Sequence, residues 1–517
     1  MKKYLVYIVV LACLSATTET ASSTRAFQIL RHNINQVEIC VSNYGTFGQD
    51  ETGNNAGCWW PIGTTDTYIF GAGLWFGTID SLTGDTLVSI GYFPYTLGSE
   101  FAPGLSGMAT NDPDAIIWMY GTGNWPPNPS TLPMAPQVTL SHQDSWCCYN
   151  DSDIVYHVPG DTRPIGLEVY QTVYVWNEPA IEDVVWLFLD VKNVSGTRLK
   201  DCYLSVTADC DVGTVSTNDL CTGIVWRDYV IGSDTITVHH VGYQWQTSAV
   251  PSGTIGFDLL QTPFLLEAGQ DRDMDGIDDQ YERDSAYYVN VLPPSMWDVD
   301  GDGVPDWRDA SENPQIGMTA FKQFTIGVEP QVDPARYMTL AGYNFQTGIY
   351  EPYDTLIPTP DDQRFLMSSG PFDLDPDSIV TIAFAVFFAD WYNIFQTPDT
   401  ALAPIDEIVQ LYYDMYWYLY TGIEENSGLR IPDCELRMTP NPVTGRGIIS
   451  YSLARPTRVS LKLYNIAGQL ARNLLEGHVA AGHHTANLVT QGLPHGIYFL
   501  VLETPEDYKS QPLIVTR

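Results

Sequence analysis

A chain of 517 residues exceeds what one hydrophobic core serves, and 44% of it is apolar, which is enough to fill two to four domains. Its 62 acidic residues face only 24 basic ones, and a net charge of −38 disfavours nucleic acid and anionic membrane surfaces as partners while suiting divalent cations. The excess is uneven: residues 431–517 hold 6 acidic and 8 basic side chains against 56 and 16 upstream, so an anionic body precedes a faintly cationic tail.

Lys2 and Lys3, an apolar run over 4–14 and small residues over 16–23 predict a signal peptide at 1–22. No later apolar run is long enough to span a bilayer, so the mature chain is expected to be soluble, at the extracellular or outer-membrane surface. Residues 10–13 loosely resemble a bacterial lipobox, which keeps a lipidated Cys13 as an alternative. Eight further cysteines permit disulfides in an exported chain. Cys40 with Cys58, and a pair among Cys202, Cys210 and Cys221, are the expected bridges, although spacing alone does not fix connectivity. The absence of a CxxC pair speaks against zinc.

From 23 to 160 the chain is crowded with glycine, proline and aromatics, which predicts short strands and tight turns, for example over 68–77 and 86–92. Trp59, Trp60, Trp118 and Trp125 are either a sugar-stacking platform or core residues. A β-sandwich body is expected over 161–423. Residues 168–176 and 184–191 are β-branched and aromatic, and the second run is apolar enough for a central strand covered on both faces. Asp209 and Asp211 share one face of a strand, and so form either a cation site, a carboxylate pair or a polar strand end. Another buried strand is predicted at 378–388. A helix follows over about 405–420, started by Pro404 and stopped by Gly422, with one apolar face. A polar linker, 424–432, then leads to the tail.

Inside the body, at about 265–315, two segments repeat the pattern D-x-D-x-D-G-φ-x-D. The first offers Asp271, Asp273, Asp275, the Ile277 carbonyl, Asp279 and Glu282. The second offers Asp298, Asp300, Asp302, the Val304 carbonyl, Asp306 and Asp309. Calcium wants six to eight oxygens, and alternate carboxylates around a glycine bend supply them. Both segments resemble calcium loops of the EF-hand, dockerin and thrombospondin type 3 kind, the helix-poor version fitting better. That resemblance implies structural Ca²⁺.

Residues 433–517 have the length of a small β-sandwich, with strands expected at 447–453, 459–464, 496–502 and 512–516. Asn441 and Pro442, Tyr464 and Gly468, Gly482, Gly496 and Tyr498, and the terminal Arg517 together resemble the type A sorting domain of the type IX (Por) secretion system. The related immunoglobulin-like domain of hook-capping proteins carries similar motifs. The sorting resemblance implies that the tail engages the outer-membrane secretion machinery and has an immunoglobulin-like fold. Upstream, residues 369–374 lie in a body that resembles uncharacterised exported bacterial proteins, a likeness that brings no function.

The fold expected is therefore mainly β: a multi-domain β-sandwich body with one long helix, plus a small C-terminal sandwich. The function expected is that of an exported, non-enzymatic surface protein, calcium-stabilised, with a surface glycan or another protein as partner and no nucleic acid. The alternative is a secreted hydrolase acting on polysaccharide through a carboxylate pair such as Asp209 and Asp211. No G-x-S-x-G, H-E-x-x-H or P-loop pattern is present. His239 with His240, and His483 with His484, are adjacent in strands or turns, so each pair is expected to point to opposite faces.

Overall fold

The computed structural model describes residues 27–421 and 436–516, apart from 54, 93–97, 110–111, 159–160, 162, 214, 232–233, 248–251, 267, 273, 294–295, 298–305, 308–312, 355, 393–394, 396, 440–442, 454–456, 466–469, 481, 495 and 504–507. The signal-peptide segment and the linker lie outside the described residues.

Eleven strands carry the body: β1 (Gly71–Ile79), β2 (Gln143–Asn150), β3 (Leu167–Val175), β4 (Val184–Asn193), β5 (Leu199–Asp209), β6 (Asp219–Ile231), β7 (Asp234–Gln246), β8 (Thr254–Gln261), β9 (Ala320–Thr325), β10 (Gln363–Leu374) and β11 (Ile379–Ala389). One antiparallel sheet runs β9, β10, β5, β1 and on into short strands between Glu38 and Ile69. The other runs β6, β7, β8, β11, β4, β3, β2 and ends at Ala102–Pro103. The N-terminal region is therefore not a separate unit. β1 pairs with β5, and β2 pairs with β3 from Gln143 opposite Val175 to Asn150 opposite Glu168, so the boundary expected at 160 falls inside one sandwich.

Alternation along the strands builds the layers. Val185, Leu187 and Leu189 of β4 and Ile382, Phe384 and Val386 of β11 face the space between the sheets, where they meet Leu74, Leu204, Val206 and Phe365. The intervening Trp186, Phe188, Ala383, Ala385 and Phe387 face outward, yet they too are buried, under a helix. That is why both strands read as unbroken apolar runs. The covering helix α3 spans Pro398–Thr421, with Ala401, Leu402, Val409, Tyr412 and Tyr413 packed on the sheet. A shorter helix α2 (Asp333–Leu340) covers the other sheet through Leu340, over Trp75, Val88 and Leu366.

Two expectations need correction. The long helix begins at Pro398 rather than Pro404: Pro404 lies inside it, and burial of Ala401, Leu402 and Ala403 offsets the hydrogen bond that its missing N–H forfeits. The seven cysteines among the described residues are all free and buried. Cys58 lies opposite Ile39, so it shares that residue's face while Cys40 points to the other one.

The tail is a sandwich of its own. Three strands (Leu436–Thr439, Arg446–Leu453 and Gly482–Val489) form one sheet. The other holds Val443–Thr444, Thr457–Asn465, Leu470–Val479, Gly496–Glu503 and Tyr508–Thr516. Val459, Leu461, Leu500 and Leu513 pack against Ile449, Tyr451 and Leu488 between them.

Candidate functional site

The acidic insertion leaves the body between β8 and β9 and is closed at its neck, where Leu265 N donates to Pro314 O (2.8 Å) and Ile316 N to Pro263 O (3.0 Å). In the first loop Gly276 adopts φ 95°, the sharp bend that its position demands and that a side chain rarely tolerates. Ile277 N donates to Asp275 Oδ1 (2.7 Å), and Arg272 N to Asp279 Oδ1 (2.9 Å) with the Arg272 guanidinium on the same carboxylate. Asp279, Glu282 and Ile277 are buried; Asp271 is exposed. A short helix α1 (Ser285–Val291), capped by Asp284, follows after all, which departs from the helix-poor expectation.

Tyr288 of α1 packs on Trp307, itself edge-on to Trp297, and donates to Glu282 Oε2 (3.2 Å). Its phenol is raised far above the ordinary range by burial first, then by the charges of Glu282, Asp306 and Asp275. Glu282 and Asp275 of the first loop and the buried Asp306 of the second thus gather around one small aromatic core. Asp273, Asp298, Asp300, Asp302, Val304 and Asp309 lie outside the described residues.

A second acidic site forms where β5 ends and β6 and β10 begin. Asp209 sits between Gly71 and Arg364 on the neighbouring strands, and Asp219 forms an isolated bridge with Asp361. This brings one carboxylate oxygen each from Asp209, Asp211 and Asp362 within 4.8 Å of one another. Asp209 Oδ2 accepts from Arg364 Nη2 (2.8 Å) and Tyr92 Oη (2.8 Å), whereas its buried Oδ1 has no partner. Burial pushes the Asp209 carboxyl up to about 6 despite Arg364. Asp211 is pushed up to about 7 by burial and then by Asp209 and Asp362, and Asp219, by burial chiefly, to about 9. Sequence alternation found Asp209 and Asp211. It missed Asp362 and Arg364, which only strand pairing brings near.

A cavity of about 800 Å³ opens between β7, β8, α3 and the insertion neck. His239 and His240 both line it, contrary to the opposite-face expectation: His240 takes φ 58°, the β6–β7 ladder skips its position, and the two rings stand 5.1 Å apart. Burial lowers both imidazoles, His240 to about 4, so they are neutral at pH 7. Gly317 of the neck presses on His240, since a Cβ there would fall 2.7 Å from its Cε1. Polar groups from Thr262, Asn313, Gln315, Glu407 and Gln410 alternate with Leu259, Leu260 and Ile316 around the wall.

The tryptophans pack rather than form a platform. Trp60 is buried, stacks on Phe388 and donates to Asp183 (2.6 Å); Trp118 and Trp125 pack against the core of Trp146 and Tyr170, and Trp59 lies under Arg31.

In the tail, Tyr464 stands opposite Phe499 and Asn465 opposite Tyr498, whose hydroxyl donates to Pro494 O (3.0 Å). Gly496 pairs with Val515 and Gly482 with Leu453; Asn441, Pro442, Gly468 and Arg517 lie outside the described residues. Residues 437–516 match the family of secretion system C-terminal sorting domains. The tail is accordingly a type IX sorting domain, which engages the type IX machinery and directs the chain to the extracellular or outer-membrane surface. Among the described residues no helix is long and apolar enough to cross a membrane.

No curated protein matches the chain. A polysaccharide lyase structure is similar at 7% identity and a TM-score of 0.22, over 95% of this chain and 46% of that one. A lysyl oxidase from Pichia pastoris is similar at 6% identity and a TM-score of 0.22, over 72% and 52%. The chain spans about half the length of either, and likeness at this level defines no shared fold.

Proposed function

We propose that the protein is an exported, non-enzymatic binding protein of the cell surface, stabilised by calcium in its insertion, with the cavity beside α3 as its ligand site. The observation that carries this reading is that the neck closing the insertion, Asn313 to Gly317, is also a wall of the cavity. Ordering the insertion therefore orders the site. Mixed hydroxyl, amide and carboxylate groups around a concave, partly apolar wall suit a hydroxyl-rich ligand such as a short surface glycan.

The residues fit calcium. The glycine bend is in place, the donors are oxygens, and Glu282 and Asp306 bury carboxylates that a bound cation neutralises, while Asp279 would exchange the Arg272 guanidinium for the ion. Asp271, Asp273, Asp275, Asp279 and Glu282 would hold one ion with the Ile277 carbonyl. Asp298, Asp300, Asp302, Asp306 and Asp309 would hold the other with that of Val304. Free calcium at about a hundred times the dissociation constant adds about 2.7 kcal/mol per independent site. In the rival hydrolase reading Asp209 has to meet a polymer, yet it is 2% exposed and engaged by Arg364 and Tyr92, which supports binding over cleavage.

The test is melting and calorimetry of the full chain against surface oligosaccharides, in calcium and in chelator. Calcium should raise the melting temperature, and chelator should expose residues 265–314 to protease and weaken glycan binding. Glu407→Ala, at an exposed position on the cavity wall, should weaken binding without changing stability. Shortened glycan products would instead establish the hydrolase, and indifference of melting to calcium would remove the cation from the loops.

A further inference from the structure

Carboxylate oxygens converge at the rim where β5 ends, with the Arg364 guanidinium among them. Three independent features there point to a missing positive charge. Asp209, Asp211 and Asp362 bring carboxylate oxygens within 4.8 Å of one another. Asp209 is 98% withdrawn from solvent, its Oδ2 is fully used by Arg364 and Tyr92, and its Oδ1 has no hydrogen-bond partner. Asp219, wholly buried and within electrostatic reach of Asp211 and Asp362, likewise leaves Oδ1 without a hydrogen-bond partner, and Asp362 Oδ1 has only the 3.4 Å ion-pair contact with Arg364.

Arg364 is the cation present, and its contacts are Asp209 at 2.8 Å and Asp362 at 3.4 Å. One guanidinium against four carboxyl groups leaves the cluster short of positive charge, which either retained protons or a bound cation supplies. A buried oxygen that accepts nothing costs free energy, and a group of them around one point is relieved by a shared positive ion.

We propose that Asp209, Asp211 and Asp362 bind a calcium ion, with Asp219 beside them, at a site separate from the insertion loops. Hard oxygen donors select a hard cation, and an irregular set of one buried and two half-buried carboxylates suits calcium's flexible shell better than magnesium, which keeps its waters in a near-ideal octahedron. Tyr92 and Arg364 fix the Asp209 carboxylate through Oδ2, as outer hydrogen bonds fix a metal ligand, and leave Oδ1 for the ion. The ion ties β5 and β10 of one sheet to the start of β6 in the other, next to the backbone bridge between Asp219 and Asp361.

The full chain, stripped with chelator and dialysed, is titrated with calcium by calorimetry in four forms: wild type, Asp275→Ala/Asp302→Ala, Asp211→Asn/Asp362→Asn, and the combination. The loop variant should keep one equivalent of calcium, and the combined variant should lose it. In metal-free buffer the Asp211→Asn/Asp362→Asn protein should melt no lower than wild type, since repulsion is gone, so lost binding is not lost folding. A loop variant that binds no calcium, or a combined variant that binds as much as the loop variant, overturns the site, and tighter binding of magnesium than of calcium overturns the ion. Failure of the loops alone has a different signature: wild type and loop variant would then bind the same single equivalent.

Discussion

Burying two carboxyl groups against each other leaves one of them a proton carrier at neutral pH. Asp258 of β8 and Asp406 of α3 are almost wholly buried, and Gln410 Nε2 donates to Asp258 Oδ2 (2.7 Å). Burial raises both well above the carboxylate range, and Asp406 raises Asp258 further. The folded state therefore holds more protons than the unfolded chain, whose carboxylates titrate near pH 4. This contribution is fully present below about pH 4 and is lost as pH rises through the folded values, so stability should fall from about pH 5 to 8. Asp406→Asn keeps a hydrogen-bonding group without the titration and should flatten that slope. The check is melting temperature against pH in saturating calcium; equal slopes for wild type and variant would exclude the pair as the source. Residues at this scale were only half legible. Asp209 and Asp211 were visible because a strand's period places them on one face. Asp362 and Arg364 were not, because more than 150 residues separate them from Asp209. The shared orientation of His239 and His240 depends on one left-handed backbone angle, which an apolar-polar pattern does not encode.

Elements were more legible where one face decides them. β4 and β11 announced themselves as apolar runs because a sheet core lies on one side and α3 on the other. The tail strand Leu470–Val479 escaped notice because it is an edge strand, exposed or half-buried throughout, so its sequence carries little apolar alternation. The start of α3 was misplaced by reading Pro404 as a helix-opening residue, when the buried Ala401 to Ala403 segment had already committed the chain to helix. That placement has a measurable cost. Proline in a helix interior is about 3 kcal/mol less favourable than alanine, partly offset by about 0.4–1 kcal/mol from its stiffening of the unfolded chain. Pro404→Ala should therefore stabilise the body by roughly 2–2.5 kcal/mol in urea unfolding. An unchanged or lowered midpoint would mean that the proline ring's own packing outweighs the restored hydrogen bond.

At the scale of the whole molecule, two folding units carry two different tasks. Among the described residues the body's sheets draw their strands from 29–389 and the tail's from 436–516, and no strand is shared. Their hydrophobic cores are likewise distinct sets of residues. A unit with its own core retains it when a neighbour is removed. Net charge is divided the same way: the anionic body suits calcium and solubility, while the tail carries the sorting family's residues. Deleting 433–517 should therefore leave the body's near-ultraviolet dichroism and its calcium-dependent melting unchanged, because neither the sandwich nor the insertion draws a residue from the tail. In a host with a type IX system the truncated protein should collect in the periplasm, and the full chain should reach the surface. Fusing 433–517 to an unrelated periplasmic reporter should carry that reporter outward, which separates sorting from any effect on folding. Surface display of the truncated chain at the full-length level would place the export signal in the body; a truncated body that fails to fold would show that the sheets depend on the tail despite sharing no strand with it.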